Sequence, residues 1–279
     1  MQYRFALIGY PIKHSLSPWI HENFLKKAAL KGEYVINEIT PEDSFEEHMN
    51  KLRQQNINGF NVTVPYKQKI IPFLDGIDHT AEIMGAVNTV ANEDGKWIGY
   101  NTDGIGYLLS LKGKFPGLYQ DRSKRILIIG SGGAARGIFF ALDSAGFNCI
   151  DIANRTIEKA MDIKKLGSSS ANVLTLNEAE RQIKNYDVII QTTNVGMMPE
   201  VENTIINISG VRSDAIVSDI VYQPIKTRFL KQAEAAGASI HFGHSMLLYQ
   251  AQYAFEIWTN IKVPMEGLDL ELKQILEGR

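Results

Sequence analysis

"RILIIGSGGAARG", residues 125–137, decides how this chain folds. Ile126 to Ile129 are a short, unbroken apolar run, as expected of a strand buried on both faces, and a glycine-rich turn follows at once. Ala134, Ala135 and Arg136 then favour a helix. Gly130, Gly132 and Ala135 fit G-x-G-x-x-A, a form of the dinucleotide fingerprint. Gly130 allows the tight turn, and Gly132 lets a pyrophosphate approach the backbone N–H groups at the helix start. An isolated G-x-G is also compatible with a plain tight turn; the strand before it and the helix after it favour the dinucleotide.

The next strand is where two nicotinamide cofactors are told apart. Asp151 follows Gly130 by about 20 residues, the offset of a ribose-binding carboxylate. The strand, however, continues through Ile152 and Ala153, so its tip is Asn154-Arg155-Thr156. Arg155 there suits a 2′-phosphate through its planar fork, and Lys159, one helical turn on, adds positive charge. NADP is the expected cofactor, and Asp151 is read as a strand residue held by a local hydrogen bond.

Outward from this unit, strand-like runs alternate with helical patterns almost from end to end, the signature of α/β architecture with parallel sheet. In the second half the runs are 125–129, 148–153, 172–176, 186–192, 215–220 and 238–242. In the first half they are 4–8, 34–39 and 57–64, with a helix after Ser17-Pro18, which read as cap and first residue. Between Val87 and Tyr100 two short strands flank Asn92-Glu93-Asp94-Gly95, and Asp-Gly is a strong hairpin signal. The polar, Gly- and Pro-punctuated KGKFPGLYQDRSK, 112–124, reads as a boundary region. Helix is expected from Gly243 to about Ile261 and again after Pro264.

At 279 residues, two domains are expected. Apolar residues make 44% and charged residues 22%, which fits a folded globular chain. A net charge of −2 with no basic stripe argues against a nucleic-acid partner. The single cysteine, Cys149, permits no intrachain disulfide, and no apolar run approaches a membrane span, so a cytoplasmic protein is expected.

Three segments of the first half place polar groups after strands, where α/β sheets gather ligands. They are Ser15 and Ser17 in KHSLSP; Asn61, Thr63 and Lys67 in NVTVPYK; and Asn88, Asn101 and Asp103 around the hairpin. Singly, each has an ordinary explanation: a cap for Ser17, a turn for Asn88, a solvated lysine in a first helical turn for Lys67. Together, hydroxyls and amides suit a polyhydroxylated ligand. A lysine can pass a proton, and Asp103 can orient that lysine.

On these residues the chain resembles the shikimate dehydrogenase family over nearly its whole length. The motifs are G-x-P-I-x-H-S-L-S-P at 9–18, N-V-T-V-P-Y-K at 61–67, G-A-V-N-T at 85–89 and G-x-N-T-D-G at 99–104. They continue with G-S-G-G-A-A-R at 130–136, N-R-T at 154–156, D-I-V-Y-x-P-x-x-T at 219–227 and G-x-x-M-L-x-x-Q at 243–250. The resemblance implies reversible NADP-dependent reduction of 3-dehydroshikimate to shikimate, on the route to aromatic amino acids.

It also implies Lys67 and Asp103 as the catalytic pair. Ser15, Ser17, Thr63, Asn88, Asp103, Tyr222 and Gln250 would bind shikimate, with Asn61 nearby. Gly130, Ser131, Gly132, Gly133, Ala134, Asn154, Arg155, Thr156, Lys159, Ile220 and Gly243 would line the cofactor site, and no metal is implied.

The expected fold is α/β with an N-terminal substrate domain, 1–103 plus 243–279, and a Rossmann-like, doubly wound NADP domain, 104–242. The resemblance implies that the C-terminal helices return to the first domain and that substrate lies between the two. The exposed face of the last helix suits either a dimer or packing on the first domain; packing on the first domain is the expectation, and monomer and homodimer both stay open. Two departures stand out. Gln191-Thr192-Thr193-Asn194 replaces the family's usual N-x-T-S or N-x-T-P, and His79 stands where an acidic residue is common. A quinate/shikimate dehydrogenase using both NAD and NADP, a methylenetetrahydrofolate dehydrogenase, and a non-catalytic NADP-binding sensor are the alternatives.

Overall fold

The computed structural model describes residues 2–278. The chain divides into two compact units: residues up to Asp103 together with Gln250–Pro264, and Gly104–Tyr249 together with the residues from Met265 on.

In the first unit, β1 (Tyr3–Gly9), α1 (Ser17–Lys27), β2 (Gly32–Glu38), α2 (Phe45–Gln54) and β3 (Gly59–Val62) form two successive βαβ steps around β1, which pairs in parallel with both β2 and β3. Ser44 caps α2 through the Glu47 N–H, and α2 carries Glu46 and Glu47 early and Lys51 and Arg53 late, the order its dipole favours. There follow β4 (Gly76–Ile77), α3 (His79–Met84), β5 (Thr89–Glu93) and β6 (Lys96–Tyr100). The sheet order is β2-β1-β3-β5-β6-β4.

This sheet is mixed, because β5 runs antiparallel to both β3 and β6. The hairpin turn is Asp94-Gly95 alone, with φ of +52° and +86°, the left-handed pair a two-residue turn of this kind requires. β4 and α3 are too short to give a periodic signal in the sequence. The core gathers Ile8, Phe60, Val62, Tyr66, Val90 and Trp97.

The second unit contains α4 (Asp103–Lys114, opening at the unit boundary), β7 (Arg125–Ile129), α5 (Gly133–Ser144), β8 (Cys149–Ala153), α6 (Ile157–Lys164), β9 (Val173–Leu174), α7 (Leu176–Arg181), β10 (Val188–Gln191), β11 (Ile216–Asp219), α8 (Arg228–Ala235) and β12 (Ser239–His241). Its sheet is parallel throughout, in the order β12-β11-β10-β7-β8-β9. Alternate residues feed two cores: Ile126, Ile128, Ile150, Ile152, Val188 and Ile190 on one face, Leu127, Ile129, Ile189 and Val217 on the other. A sheet buried on both faces explains why its strands read as unbroken apolar runs. Thr175 caps α7 in a capping box with Glu178, and this shortens the run expected at 172–176 to Val173–Leu174.

Then come α9 (Gly243–Thr259) and α10 (Leu268–Glu277). The expected return of residues 243–279 to the first unit takes a different form, since only Gln250–Pro264 group with it. Trp258 anchors that segment: it stacks on Phe5 with ring centroids 4.6 Å apart, its indole N–H donates to the Val90 carbonyl at 2.9 Å, and a Cβ at Gly59 would strike it. α10 packs in the second unit. Asp269 reaches His244 at 3.2 Å and the Lys273 ammonium lies 5.1 Å from the Phe242 ring centroid. The expected packing of this helix on the first unit is therefore replaced by packing in the second, because its amphipathic pattern marks a face to bury and carries no signal for the unit that covers it.

Candidate active site

After β3 the chain passes through Thr63 and a cis Val64–Pro65 peptide to a turn carrying Lys67. Lys67 is in that turn and not in the first turn of a helix, so the unfavourable dipole its sequence context suggested does not arise. The turn is fastened by the Val87 N–H, which donates to the Lys67 carbonyl at 2.8 Å. From the other side β6 ends at Tyr100, and after two intervening residues Asp103 opens α4, where a carboxylate is electrostatically favoured. The Lys67 ammonium donates to Asp103 Oδ2 at 2.6 Å, with the side chains 30% and 20% exposed.

Asn88, 3% exposed, holds the other side of the pair. Its Nδ2 donates to Asp103 Oδ1 at 2.8 Å and to Thr102 Oγ1 at 3.0 Å, while its Oδ1 accepts from the Thr102 N–H at 2.8 Å. Both Asp103 oxygens are therefore engaged and the carboxylate plane is fixed. Of the three N–H bonds of Lys67, one goes to Asp103, and the side chain stays 30% exposed.

The network runs further. Asn61 donates to the Asn88 carbonyl at 3.2 Å and to Thr89 Oγ1 at 3.1 Å, and its Oδ1 accepts from the Tyr34 hydroxyl at 2.8 Å. Ser15 and Ser17 lie together, Oγ to Oγ 3.2 Å, and Thr102 Oγ1 donates to Gln250 Oε1 at 3.3 Å. Burial pushes the Tyr34 hydroxyl's pKa up, with Ser17 opposing. Lys67, Asp103, Asn88, Asn61 and Gln250 are thus one connected set. Thr63 is half-buried one residue beyond β3, and a Cβ on Gly9 would lie 2.3 Å from its methyl group.

Two expectations change. Ser17 is the first helical residue of α1, and Leu16 takes the cap position with no side-chain cap, because a leucine carries no acceptor; the Ser17 hydroxyl accepts from Ser15 instead. His79 is exposed at the start of α3, behind the capping Asp78. Tyr34, Thr89 and Thr102 were missed as parts of the network. Thr102 had a signal, since it sits inside G-x-N-T-D-G, whereas Tyr34 in a strand looks like ordinary core.

In the second unit, Gly130 has φ +119°, and a Cβ on it would lie 2.5 Å from Thr192 Oγ1. Gly132 caps α5 in extended conformation, and Cβ atoms on Gly132 and Gly133 would meet nothing within 4 Å, which leaves the helix start open to a phosphate. Ser131 and Ala134 flank them, half-buried. Asp151 is 5% exposed and engaged by the Tyr186 hydroxyl at 2.9 Å and the Asn172 N–H at 2.9 Å, so its oxygens are committed to the strand.

Asn154 donates to the Thr156 carbonyl at 2.8 Å and shapes the turn from which Arg155 projects. Arg155 and Lys159 are exposed, with no carboxylate partner among the described residues. Gly132, Gly133 and these cations fit a dinucleotide carrying a 2′-phosphate. Ile220 and Gly243 meet at the ends of β11 and β12, where a Cβ on Gly243 would lie 2.3 Å from the Ile220 carbonyl oxygen. Tyr222 is exposed on the turn after β11, in this unit.

A parallel, doubly wound sheet with an open glycine turn defines a Rossmann-type nucleotide-binding unit, here joined to a smaller α/β unit with a lysine–aspartate site. Three family models match in order: the shikimate dehydrogenase substrate binding domain at 7–90, shikimate / quinate 5-dehydrogenase at 112–219, and the shikimate 5′-dehydrogenase C-terminal domain at 243–267. The shikimate dehydrogenase (NADP(+)) of Oceanobacillus iheyensis is 54% identical, with 98% of each chain covered. Shikimate 5-dehydrogenase of Thermus thermophilus, solved with NADP(H) and shikimate, superposes with a TM-score of 0.85 at 30% identity, covering 98% of this chain and 99% of that one. The Listeria monocytogenes enzyme, solved with shikimate and NAD, gives 0.87 at 34% identity, covering 99% and 96%. The chain belongs to the shikimate dehydrogenase family.

Proposed function

We propose that this protein is an NADP-dependent shikimate dehydrogenase, which reversibly reduces 3-dehydroshikimate to shikimate in the biosynthesis of aromatic amino acids. The observation that carries the chemistry is the Lys67–Asp103 contact at 2.6 Å, braced by Asn88. NADPH supplies the hydride when bound. What the chain must add is a proton at the carbonyl oxygen, and one positioned acid suffices.

Lys67 Nζ gives that proton in reduction and takes the hydroxyl proton in the reverse direction. Asp103 holds the ammonium in place, and its own oxygen partners keep it from swinging away. Ser15, Ser17, Thr63, Asn88, Tyr222 and Gln250 bind the hydroxyls and carboxylate of the substrate. Asn61 stands beside them: its two amide hydrogens are spent on the Asn88 carbonyl and Thr89 and one lone pair of Oδ1 on the Tyr34 hydroxyl, so Oδ1 is the atom with which it meets the substrate. Gly130, Ser131, Gly132, Gly133 and Ala134 receive the pyrophosphate; Asn154, Arg155, Thr156 and Lys159 receive the 2′-phosphate and its ribose; Ile220 and Gly243 line the far end.

The first unit is the substrate domain and the second the NADP domain. No helix of the described residues is long and apolar enough to cross a membrane. The enzyme works in the cytoplasm, a location its single half-buried cysteine suits.

Absorbance at the nicotinamide band with shikimate and NADP⁺, beside quinate and NAD⁺ controls, tests the assignment. Turnover restricted to shikimate and NADP⁺ supports it. Comparable turnover of quinate or NAD⁺ would favour the broader quinate/shikimate activity, and no turnover with any pair would favour a sensor.

A further inference from the structure

The parallel sheet reverses its winding between β7 and β10: from β7 the chain proceeds outward through β8 and β9, then returns to β10 on the other side and continues to β11 and β12. Dinucleotides lie across such a switch point, over the carboxyl ends of the strands. With the 2′-phosphate at Arg155 beyond β8, the nicotinamide half falls over the ends of β10 and β11. The turns there are held by one buried group.

Asp219, the last residue of β11, is 0% exposed, and no basic side chain pairs with it among the described residues. Its Oδ1 accepts from the Val221 N–H at 2.9 Å and from Gln191 Nε2 at 3.2 Å; its Oδ2 accepts from Thr227 Oγ1 at 2.6 Å. Gln191, paired with Asp219 across β10 and β11, shares its Nε2 with the Thr193 and Val195 carbonyls at 3.2 and 3.1 Å, and its Oε1 accepts from the Thr193 N–H. The two turns are joined again where the Met198 N–H donates to the Gln223 carbonyl at 3.0 Å. Thr192, between them and the glycine turn, donates its hydroxyl to the Ile129 carbonyl at 2.7 Å.

A carboxyl buried without a cation is expensive, and apolar residues usually serve a core better. Here it is kept where two ligand-facing turns meet. The turn beyond β8 is built without it, by Asn154 donating to Thr156 and accepting nothing from β11. Burial also pushes the Asp219 pKa up to about 7.

We propose that Asp219, with Gln191, is a positioning residue of the cofactor site: it ties the turn after β10 to the turn after β11 and so shapes the receptor for the nicotinamide half alone. The same tie explains the departure at 191–194, because a glutamine reaches both the carbonyls of its own turn and the Asp219 carboxyl. This rests on the NADP reading above.

The test compares NADP⁺ with 2′-phospho-ADP-ribose, which lacks nicotinamide, by calorimetric titration of the full-length wild type, Asp219→Ala and Gln191→Ala. The expected result is a Kd for NADP⁺ raised about tenfold in either variant, with the Kd for 2′-phospho-ADP-ribose within about twofold of wild type. Should Asp219→Ala not fold, Gln191→Ala carries the same prediction. Equal weakening of both ligands would reduce Asp219 to a structural residue and overturn the proposal, as would unchanged NADP⁺ affinity. Wild type that binds neither ligand would instead remove the dinucleotide reading beneath it.

Discussion

Lys67 and Asp103, separated by 36 residues of sequence, meet at 2.6 Å because the C-terminal ends of β3 and β6, which lead to a turn and to α4, lie at the same end of the first sheet. Asn88 completes the arrangement from β5's leading end. The lysine is presented by a fixed backbone, and the aspartate that holds it is itself held on both oxygens. Such positioning is what the proposed role of Lys67 in proton transfer requires.

Asn88→Ala would leave Asp103 Oδ1 and the Thr102 N–H without their partners. Thr102 is fully buried, and a buried unsatisfied group costs about 1–3 kcal/mol, so the unfolding free energy should fall by about that much in denaturant titration. Activity should fall too, since Asp103 is freed to rotate. A variant of unchanged stability would mean that the Asn88 bonds are dispensable.

Arg155→Ala separates the two nicotinamide cofactors. A charge-assisted hydrogen bond is worth about 1.5–3 kcal/mol, so the KM for NADP⁺ should rise by roughly ten- to a hundredfold. The KM for NAD⁺, which has no 2′-phosphate, should stay near its starting value. Equal losses for both would place Arg155 outside the phosphate site.

His21 predicts an acid response. Burial lowers its pKa from 6.5 to about 3, with a smaller opposing effect of Asn61. A depressed folded pKa gives stability that is complete above 6.5 and is lost as pH falls towards 3. His241 behaves likewise, while Asp219, raised from 3.8 to about 7, loses its contribution as pH rises through that range. Between pH 7 and pH 5 the His21 share of the acid loss is about 2 kcal/mol. His21→Phe, which keeps the stack on Tyr34, should be less acid-sensitive by that amount in urea titrations at the two pH values. An unchanged pH slope would show that His21 is not the group responsible.

The second unit was the more legible in sequence, and its physics says why. A sheet covered on both faces needs unbroken apolar strands, so Ile126–Ile129 and Val188–Ile190 declare themselves, and Gly130 marks where the chain must turn. The first sheet is mixed, and its β4 and α3 are below the length at which periodicity speaks. At the site, Lys67, Asn88 and Asp103 were named from residue type and motif, but their hydrogen bonds cross 15 and 36 positions and no local rule supplies them. Asp219 was invisible as a functional group because a strand-end aspartate has many ordinary uses. The last helix showed which face it buries, yet only Asp269 meeting His244 reveals its neighbour.

The most direct measurement is steady-state oxidation of shikimate by NADP⁺ with wild type and Lys67→Ala. Robust wild-type turnover is expected, with a kcat lowered by about 10²–10⁴ in the variant and the KM for shikimate changed far less, because the lost interaction belongs to the transition state. A Lys67→Ala enzyme with near-normal kcat would contradict the proposed role of Lys67.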